Sequence, residues 1–391
     1  MLARNAAPVI VILAAAILLI SACLVAATQL ENESTPKSSA RLHALLDDGS
    51  IALQKGDSAE AEKVFRQALA LAPRSVEILN NLAISLAKQD KFAEAIPLYK
   101  RALALRPGDL PTTRNLAIAY FKQQNFVHAL PLLETLEQRQ PEDFQIADLL
   151  GLSYFGLDRY GDAAKYLERA SNLQPADLPA LYMLGQAYLR SEDYKKVTDV
   201  FGRIMAIDPN SAEAHVMMGT AYDKMFQPSK AVEEYQAAEQ ANPDFPGVHS
   251  GLGLLYWKQH DAQRAEAELR EELKRFPSDP VANCLLGEVA LNNGELEQAR
   301  ALFVATLKVN PLYKEALFGL GKAEIKLGEP AKAVEPLRKA IAIDPDYIEA
   351  HYQLGNALVL LGHTEEGRKE REIAAAIQAK QREDYAKKIS Q

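Results

Sequence analysis

The chain has 391 residues, of which 48% are hydrophobic and 25% charged, and its formal net charge is −8. Net negative charge opposes the phosphate neutralisation on which nucleic-acid binding depends, so the composition argues against a general nucleic-acid-binding protein. The two cysteines, Cys23 and Cys284, are too few for a disulfide framework, and without suitably spaced histidines they do not make a structural zinc site.

The N-terminal region is strongly apolar. Residues 6–27 form a run of 22 mostly apolar residues, which as a helix would span roughly 33 Å and so cross a bilayer core. Arg4 precedes the run, and Glu31 and Glu33 follow it. The positive-inside rule therefore places everything after residue 30 on the extracytoplasmic side, which is the periplasm in a bacterium. We expect a membrane-associated or exported protein.

Residues 1–28 are interpreted as this signal or anchor segment, and three fates remain open. The segment can stay as a transmembrane anchor, or it can be a signal peptide cleaved before Thr28. In the third, the Ile-Ser-Ala-Cys sequence at 20–23 resembles a lipobox and makes Cys23 a candidate for lipidation, although the apolar residues 24–27 are unusual for a lipoprotein. A buried helix of the folded domain is disfavoured, because the periodic pattern begins well after this segment.

A 34-residue period governs the chain from residue 42 onward, after a polar linker over residues 29–41. Prolines recur at this interval without insertion or deletion: Pro73, Pro107, Pro141, Pro175, Pro209, Pro243, Pro277, Pro311 and Pro345. Because proline lacks an N–H and disfavours helix at the residue before it, each should end a helix.

Each unit also repeats an apolar pattern that predicts two helices. In the first half, leucine, a small residue and an aromatic share one helical face, as Leu150, Gly151 and Tyr154 do. In the second half, alanine is followed four residues later by a large apolar residue, as in Ala299 and Phe303. We expect the small residues to allow close approach of neighbouring backbones.

These residues resemble the tetratricopeptide repeat: Leu-Gly-x-x-Tyr, then Ala-x-x-x-Phe/Tyr/Leu, then Pro, over residues 42–375. The resemblance implies an all-α fold, a right-handed α-α superhelix of ten repeats. The family's early tryptophan is absent, and its position holds Leu79, Leu181, His215, His249, Leu317 and His351. Because His215 and His249 are one repeat apart, we interpret them as a repeat position and not as two ligands of one metal.

Both ends of the array depart from the pattern. The first unit has Asp48 where the others have leucine or methionine, and the last has Gly367 and Arg371 in place of alanine and a large apolar residue. Terminal repeats face water on one side, so these substitutions indicate capping. Residues 364–391 are predicted to form a charged capping helix that overlaps the last repeat.

No catalytic motif stands out, whether a glycine-rich phosphate loop, a Gly-x-Ser-x-Gly elbow or a His-Glu-x-x-His helix. We therefore predict no enzyme activity, cofactor, metal or small-molecule substrate. By resemblance to the family, partners bind in the concave groove lined by the first helices. The groove candidates are Lys88, Arg114, Phe121, Lys122, Phe155, Tyr182, Arg190, Lys224, Trp257, Lys258, Phe318, Lys322, Lys326 and Tyr352.

A basic row is the distinctive feature of these candidates, because the thirteenth position is lysine or arginine in six of ten units. With interleaved aromatics it suits an extended acidic peptide. Lysine is also common there in the family, so a solvated helix end remains the alternative. The predicted function is a non-catalytic scaffold for other proteins or peptides. The alternatives are a regulatory or substrate-recruiting subunit of a separate enzyme, such as a glycosyltransferase or protease, and a pilotin-like lipoprotein in secretion or pilus assembly.

Overall fold

The structure is a computed structural model that describes residues 36–389. These residues form twenty helices and no strand, so the predicted all-α class is confirmed. The chain divides after Pro175 into two compact units. In both, a first helix and a second helix alternate, and consecutive helices pack against each other.

The first unit contains four such pairs. They are α1 (Pro36–Gln54) with α2 (Ser58–Leu71), α3 (Val76–Ala87) with α4 (Phe92–Leu105), α5 (Leu110–Lys122) with α6 (Phe126–Arg139), and α7 (Phe144–Phe155) with α8 (Tyr160–Leu173).

The second unit contains six pairs. They are α9 (Leu178–Arg190) with α10 (Tyr194–Ile207), α11 (Ala212–Lys224) with α12 (Pro228–Ala241), α13 (Val248–Lys258) with α14 (Ala262–Arg275), α15 (Pro280–Asn293) with α16 (Leu296–Val309), α17 (Lys314–Lys326) with α18 (Pro330–Ile343), and α19 (Ile348–Leu360) with α20 (Thr364–Ile389). Every second helix except α20 ends two residues before a periodic proline, as that residue's chemistry predicts.

The small residue of each first helix mainly makes room for a large side chain on the second helix. A Cβ atom on Gly151 would lie 2.5 Å from Leu167 Cγ, and both side-chain positions are buried. The expected close approach of two backbones occurs in the last repeat, where a Cβ on Gly355 would lie 2.7 Å from the carbonyl oxygen of Gly367. Elsewhere the apolar side chain itself fills the space, which gives the dense packing of a protein core.

One first helix obtains its N-terminal cap from another helix. Six first helices have their own cap, because a Ser or Asp side chain accepts the N–H three residues later: Ser75, Asp109, Asp143, Asp177, Ser211 and Asp279. Helix α13 instead follows Gly247. There the fully buried carboxylate of Glu272, on α14, accepts the N–H of Gly247 at 2.8 Å and of Ser250 at 3.2 Å. Glu272 therefore replaces the missing cap.

The turn inside each repeat contains one residue with left-handed backbone. These residues are Gly56, Asp90, Gln124, Asp158, Glu192, Phe226, His260, Gly294, Gly328 and Gly362, with φ between 56° and 86°. The N–H that follows bonds to a carbonyl five residues earlier, as from Gln227 to Tyr222 at 2.9 Å. This is the hydrogen bond of a Schellman motif, whose left-handed residue is usually glycine.

Histidines at the fourth repeat position pair with glutamates on the second helix of the same repeat. Their Nδ1 atoms lie 2.6–2.8 Å from a carboxylate oxygen 19 residues later, and the pairs are His215 with Glu234, His249 with Glu268, and His351 with Glu370. The interpretation of His215 and His249 as a repeat position is thereby confirmed. The Nδ1 atom of each ring, buried for His249 and His351 and partly buried for His215, is thus hydrogen-bonded within its own repeat.

None of the helices within residues 36–389 combines the length and apolarity needed to cross a membrane. The predicted N-terminal hydrophobic helix and the candidate lipidation residue Cys23 lie outside the described residues.

Candidate partner-binding surface

All fourteen groove candidates lie on first helices or directly after one. The first unit carries five of them: Lys88, Arg114, Phe121, Lys122 and Phe155. The second unit carries the other nine: Tyr182, Arg190, Lys224, Trp257, Lys258, Phe318, Lys322, Lys326 and Tyr352. The two groups differ in how their charges are used.

In the first unit, α3 and α5 form an open cleft of about 310 Å³ that includes Lys88 and Lys122. Both lysines are exposed, and within residues 36–389 neither forms an ion pair. Ile84 and Ile118 line the same cleft and are only partly buried. The exposed carboxylate of Asp90 lines the cleft as well, so the cleft presents two available ammonium groups and one carboxylate beside apolar surface.

An amide network joins the two helices at this cleft. Asn80 Oδ1 accepts hydrogen bonds from Asn115 Nδ2 at 3.2 Å and from Thr112 Oγ1 at 3.3 Å. Asn115 lines the cleft, and these contacts fix the orientation of both amides. Asn115 Oδ1 takes no part in those bonds, so an acceptor remains for the backbone of a bound segment.

The other first-unit candidates contact their own unit. Arg114 forms an ion pair with Asp143 at 2.7 Å, and this hydrogen bond lowers the pKa of the Asp143 carboxyl, which also caps α7. The Phe121 ring meets Phe126 edge-on, with centroids 5.6 Å apart, and Phe155 meets Tyr160 in the same way at 5.2 Å. Equivalent residues at the start of the next helix thus hold both aromatics.

In the second unit, two cations of the row, Lys258 and Lys326, and one further groove candidate, Lys322, are already bonded. Lys258 Nζ lies 2.6 Å from Asp223 Oδ2, and Lys322 Nζ lies 3.3 Å from Glu288 Oε2. Lys326 donates to the backbone carbonyl of Leu291 at 3.5 Å. Each partner belongs to the preceding first helix, so these contacts neutralise or satisfy part of the row.

A different cleft of the second unit mixes both charges. It has a volume of about 580 Å³, and Arg190 and Lys224 line it together with Glu192 and Glu213. Burial raises the pKa of the Glu213 carboxyl. Its apolar lining includes Leu189, Val216 and Phe245. The first-unit cleft has Asp90 as its one lining carboxylate beside two lysines, so this cleft, with two carboxylates beside two cations, is the less selective for acidic segments.

Aromatic candidates of the second unit have structural contacts as well. Tyr182 bonds through its hydroxyl to Ser211, the cap of α11, and the Trp257 ring packs against the apolar core around α13. Phe318 contacts the Tyr347 ring at 5.0 Å, with Lys322 Nζ over its face. Tyr352 is 52% exposed and lines a cleft of about 700 Å³ next to Arg371.

Residues with metal or nucleophile chemistry do not converge in the described part of the chain, where no group of three potential ligands forms. Cys284 lies on the first helix α15 but is buried, and burial raises the pKa of its thiol to about 12. A thiol with that pKa is almost entirely protonated near neutral pH and is a poor nucleophile.

The carboxylate that bonds to a lysine of the basic row was not predicted from the sequence. An alignment of the ten repeats contains the signal, because Asp223 stands 35 residues before Lys258 and so on the neighbouring helix. The corresponding residue before Lys122 is Ala87, which has no charge to offer.

Comparison with protein families gives four matching models, all described as tetratricopeptide or TPR repeats. The matched residues are 46–109 and 284–348 for one model, 86–152 and 154–219 for the second, 228–259 for the third and 337–369 for the fourth. No curated protein matches the sequence.

Solved structures with a similar fold include the APC/C hetero-tetramer Cut9–Hcn1. It is 12% identical over 86% of this chain and 87% of that chain, with a TM-score of 0.52. The comparison also matches MamA, residues 41 to the end, from Desulfovibrio magneticus RS-1, at 22% identity over 44% of this chain and 97% of that one, with a TM-score of 0.42. At these identities the likeness to Cut9–Hcn1 concerns the fold alone.

Proposed function

The chain belongs to the tetratricopeptide repeat family, and from that premise we propose that it is a non-catalytic scaffold that binds segments of other proteins on its first helices. The observation that carries the proposal is the first-unit cleft, where Lys88 and Lys122 are exposed and bonded to no carboxylate within residues 36–389. Such a pair of cations is available to a partner's carboxylates.

The chemistry of the cleft favours an extended acidic segment. Carboxylates pair with the two ammonium groups, small apolar side chains rest on Ile84 and Ile118, and the segment's backbone bonds to Asn115, whose amide Asn80 orients. Each exposed charge pair contributes only about 0.2–1 kcal/mol and is screened by salt. Binding is therefore expected to be modest and to weaken as ionic strength rises.

A peptide-binding measurement tests this proposal. The probe is a fluorescent peptide of alternating glutamate and leucine, with a glutamine–leucine peptide as its uncharged match, followed by anisotropy. Replacing Lys88→Glu and Lys122→Glu should weaken binding of the acidic peptide by at least about tenfold, equivalent to about 1.4 kcal/mol. The same net charge change at Arg74→Glu and Arg139→Glu, which are exposed and lie after or at the end of second helices, should have little effect.

Two results would overturn the proposal. Equal losses in both double variants would indicate a general electrostatic effect without a cleft-specific site. Equal binding of the glutamine–leucine peptide would contradict the acidic character of the ligand.

We also propose that residues 1–28 bring this scaffold to a membrane, with the repeats on the extracytoplasmic side. The support is the apolar run over residues 6–27, with Arg4 before it. Loss of lipid labelling in Cys23→Ala would assign the lipoprotein form, whereas labelling independent of Cys23 would eliminate it. Protease protection in intact cells, lost on permeabilising the outer barrier, tests the side of the membrane.

A further inference from the structure

One turn residue differs in kind from its nine equivalents. Phe226 occupies the left-handed position between α11 and α12, with φ 58°, and its side chain is 92% exposed. The equivalent positions of the other repeats hold glycine, a carboxylate, glutamine or histidine. Among residues 36–389, only at this position does a large apolar side chain project from such a turn.

Phenylalanine is unfavourable here for two reasons. A left-handed backbone brings its Cβ close to the following carbonyl, a conflict that glycine avoids. The exposed ring also gains no burial within its own chain, because nearly all of its surface faces solvent. A strained residue without an internal packing role is a reason to look for an external one.

The surroundings of the ring are basic and rigid. Lys224 and Lys230 lie on either side of the turn and are both exposed. Pro228 opens α12 and so restricts the backbone just after the ring. Lys224 also lines the 580 Å³ cleft of the second unit, which makes the turn continuous with a surface that faces partners under the proposed function.

We propose that Phe226 is the anchor of a second docking surface, which binds a partner protein through an apolar pocket bordered by carboxylates. The ring enters the pocket, and Lys224 and Lys230 pair with the carboxylates at its rim. This inference rests on the proposed scaffold function but not on the cleft at Lys88 and Lys122.

A protein partner fits this turn better than an anionic membrane does. The neighbouring turns carry exposed or partly exposed carboxylates, Glu192 and Asp193 on one side and Asp261 on the other. A bilayer surface would have to approach all of these turns together, so anionic lipid would meet repelling charges. A protein pocket needs to reach only the one ring and its flanking lysines.

The test compares Phe226→Gly with His260→Gly, the same backbone position one repeat later. The probes are short proteins selected on the wild-type chain from a display library of helical hairpins, each with a randomised groove between fixed glutamates. Probes with an apolar groove should bind Phe226→Gly at least about tenfold more weakly than wild type. Their affinity for His260→Gly should stay unchanged, and Lys224→Glu with Lys230→Glu should also weaken it.

Stability distinguishes an anchor from a structural residue. Glycine suits the left-handed backbone, so the melting temperature of Phe226→Gly should be unchanged or raised by about 2 °C. A marked fall in melting temperature would show that the ring supports the fold and would overturn the proposal.

Two binding results would overturn it as well. One is equal affinity of the selected hairpins for wild type and Phe226→Gly. The other combines two observations: sedimentation with phosphatidylserine vesicles depends on Phe226, and binding of the selected hairpins does not. That result would assign the turn to a membrane. The glutamate–leucine peptide distinguishes the Phe226 surface from the first-unit cleft, because its binding should be the same in wild type and Phe226→Gly. Failure of that peptide alone would reject the cleft and leave the anchor standing.

Discussion

The two units place cations at the same repeat positions and use them differently. In the first unit, Lys88 and Lys122 stand without an ion pair among the described residues. In the second unit, Lys258 bonds to the Asp223 carboxylate and Lys326 donates to the backbone carbonyl of Leu291, and both partners lie on the preceding first helix. The deciding residue is not the lysine but the one facing it from the neighbouring repeat. A row of identical side chains therefore does not make a uniform surface.

Helix caps show a related contrast. In the first unit, α3, α5 and α7 begin with their own Ser or Asp caps. In the second unit, α13 depends on Glu272 from another helix, and α17 and α19 begin after tyrosines that make no capping hydrogen bond. The second unit also has three helices with their own caps, Asp177, Ser211 and Asp279, so the clearest difference is α13, whose start depends on a carboxylate of another helix.

The largest effect should come from removing the borrowed cap. Glu272→Ala leaves the buried N–H groups of Gly247 and Ser250 without an acceptor, which should cost about 1–3 kcal/mol of unfolding free energy. Urea unfolding followed by fluorescence measures it, because Trp257 is the only tryptophan and lies on the helix that Glu272 caps.

Ser75→Ala is the matched control in the first unit, where a helix loses its own cap. It should cost roughly 0.5–2 kcal/mol by circular dichroism and leave the tryptophan transition in place. A Glu272→Ala protein whose fluorescence midpoint equals that of wild type would show that the borrowed cap does not stabilise the second unit.

An intermediate effect should follow from exchanging the residues that face the row. Ala87→Asp places a carboxylate 35 residues before Lys122, as Asp223 stands before Lys258. The new pair should weaken binding of the glutamate–leucine peptide by up to about fivefold, the equivalent of an exposed ion pair. Asp223→Ala should do the opposite in the second unit by releasing Lys258.

Ala87→Asn is the control for that exchange, since it changes shape and polarity but not charge. If Ala87→Asp and Ala87→Asn bind the peptide equally, the pairing rule does not transfer between units, and the contrast between them has another cause.

The smallest effect concerns two buried glutamates, one in each unit. Hydrogen bonding from Lys91 lowers the pKa of Glu62, and their Nζ and Oε2 atoms are 2.9 Å apart. Because the folded pKa lies below the unfolded one, Glu62 adds stability above the unfolded pKa and loses it as pH falls through the folded pKa. Glu324 has a longer contact, with Arg300 at 3.7 Å.

Glu62→Gln should therefore flatten the loss of stability on acidification below about pH 5, as measured by urea midpoints over a pH series. Parallel slopes in wild type and Glu62→Gln would contradict the assigned role of Lys91.

The sequence predicted the helices well because their signals are local and occur ten times. Each proline marks a helix end, and each small residue faces a large one on the next helix, so the errors of single positions average out. The use of the basic row was not predicted, because Lys258 and Asp223 are far apart in sequence and meet only once the repeats are stacked. The exposure of Phe226 was missed for a similar reason, since a phenylalanine in this turn is recognised as unusual only by comparison with the nine equivalent turns.

The histidine–glutamate pairs bear on how such an array can be recombined. His215, His249 and His351 each bond to the glutamate 19 residues later. In two other repeats the histidine position holds Leu79 or Leu181, and the glutamate position holds Leu98 or Val200. A crossover in the turn between two helices of one repeat would leave a histidine facing an aliphatic side chain, or a glutamate without its imidazole. A crossover between repeats would keep every pair intact. Whole repeats are therefore the modules that can be duplicated, deleted or exchanged between related chains while every histidine–glutamate pair is kept.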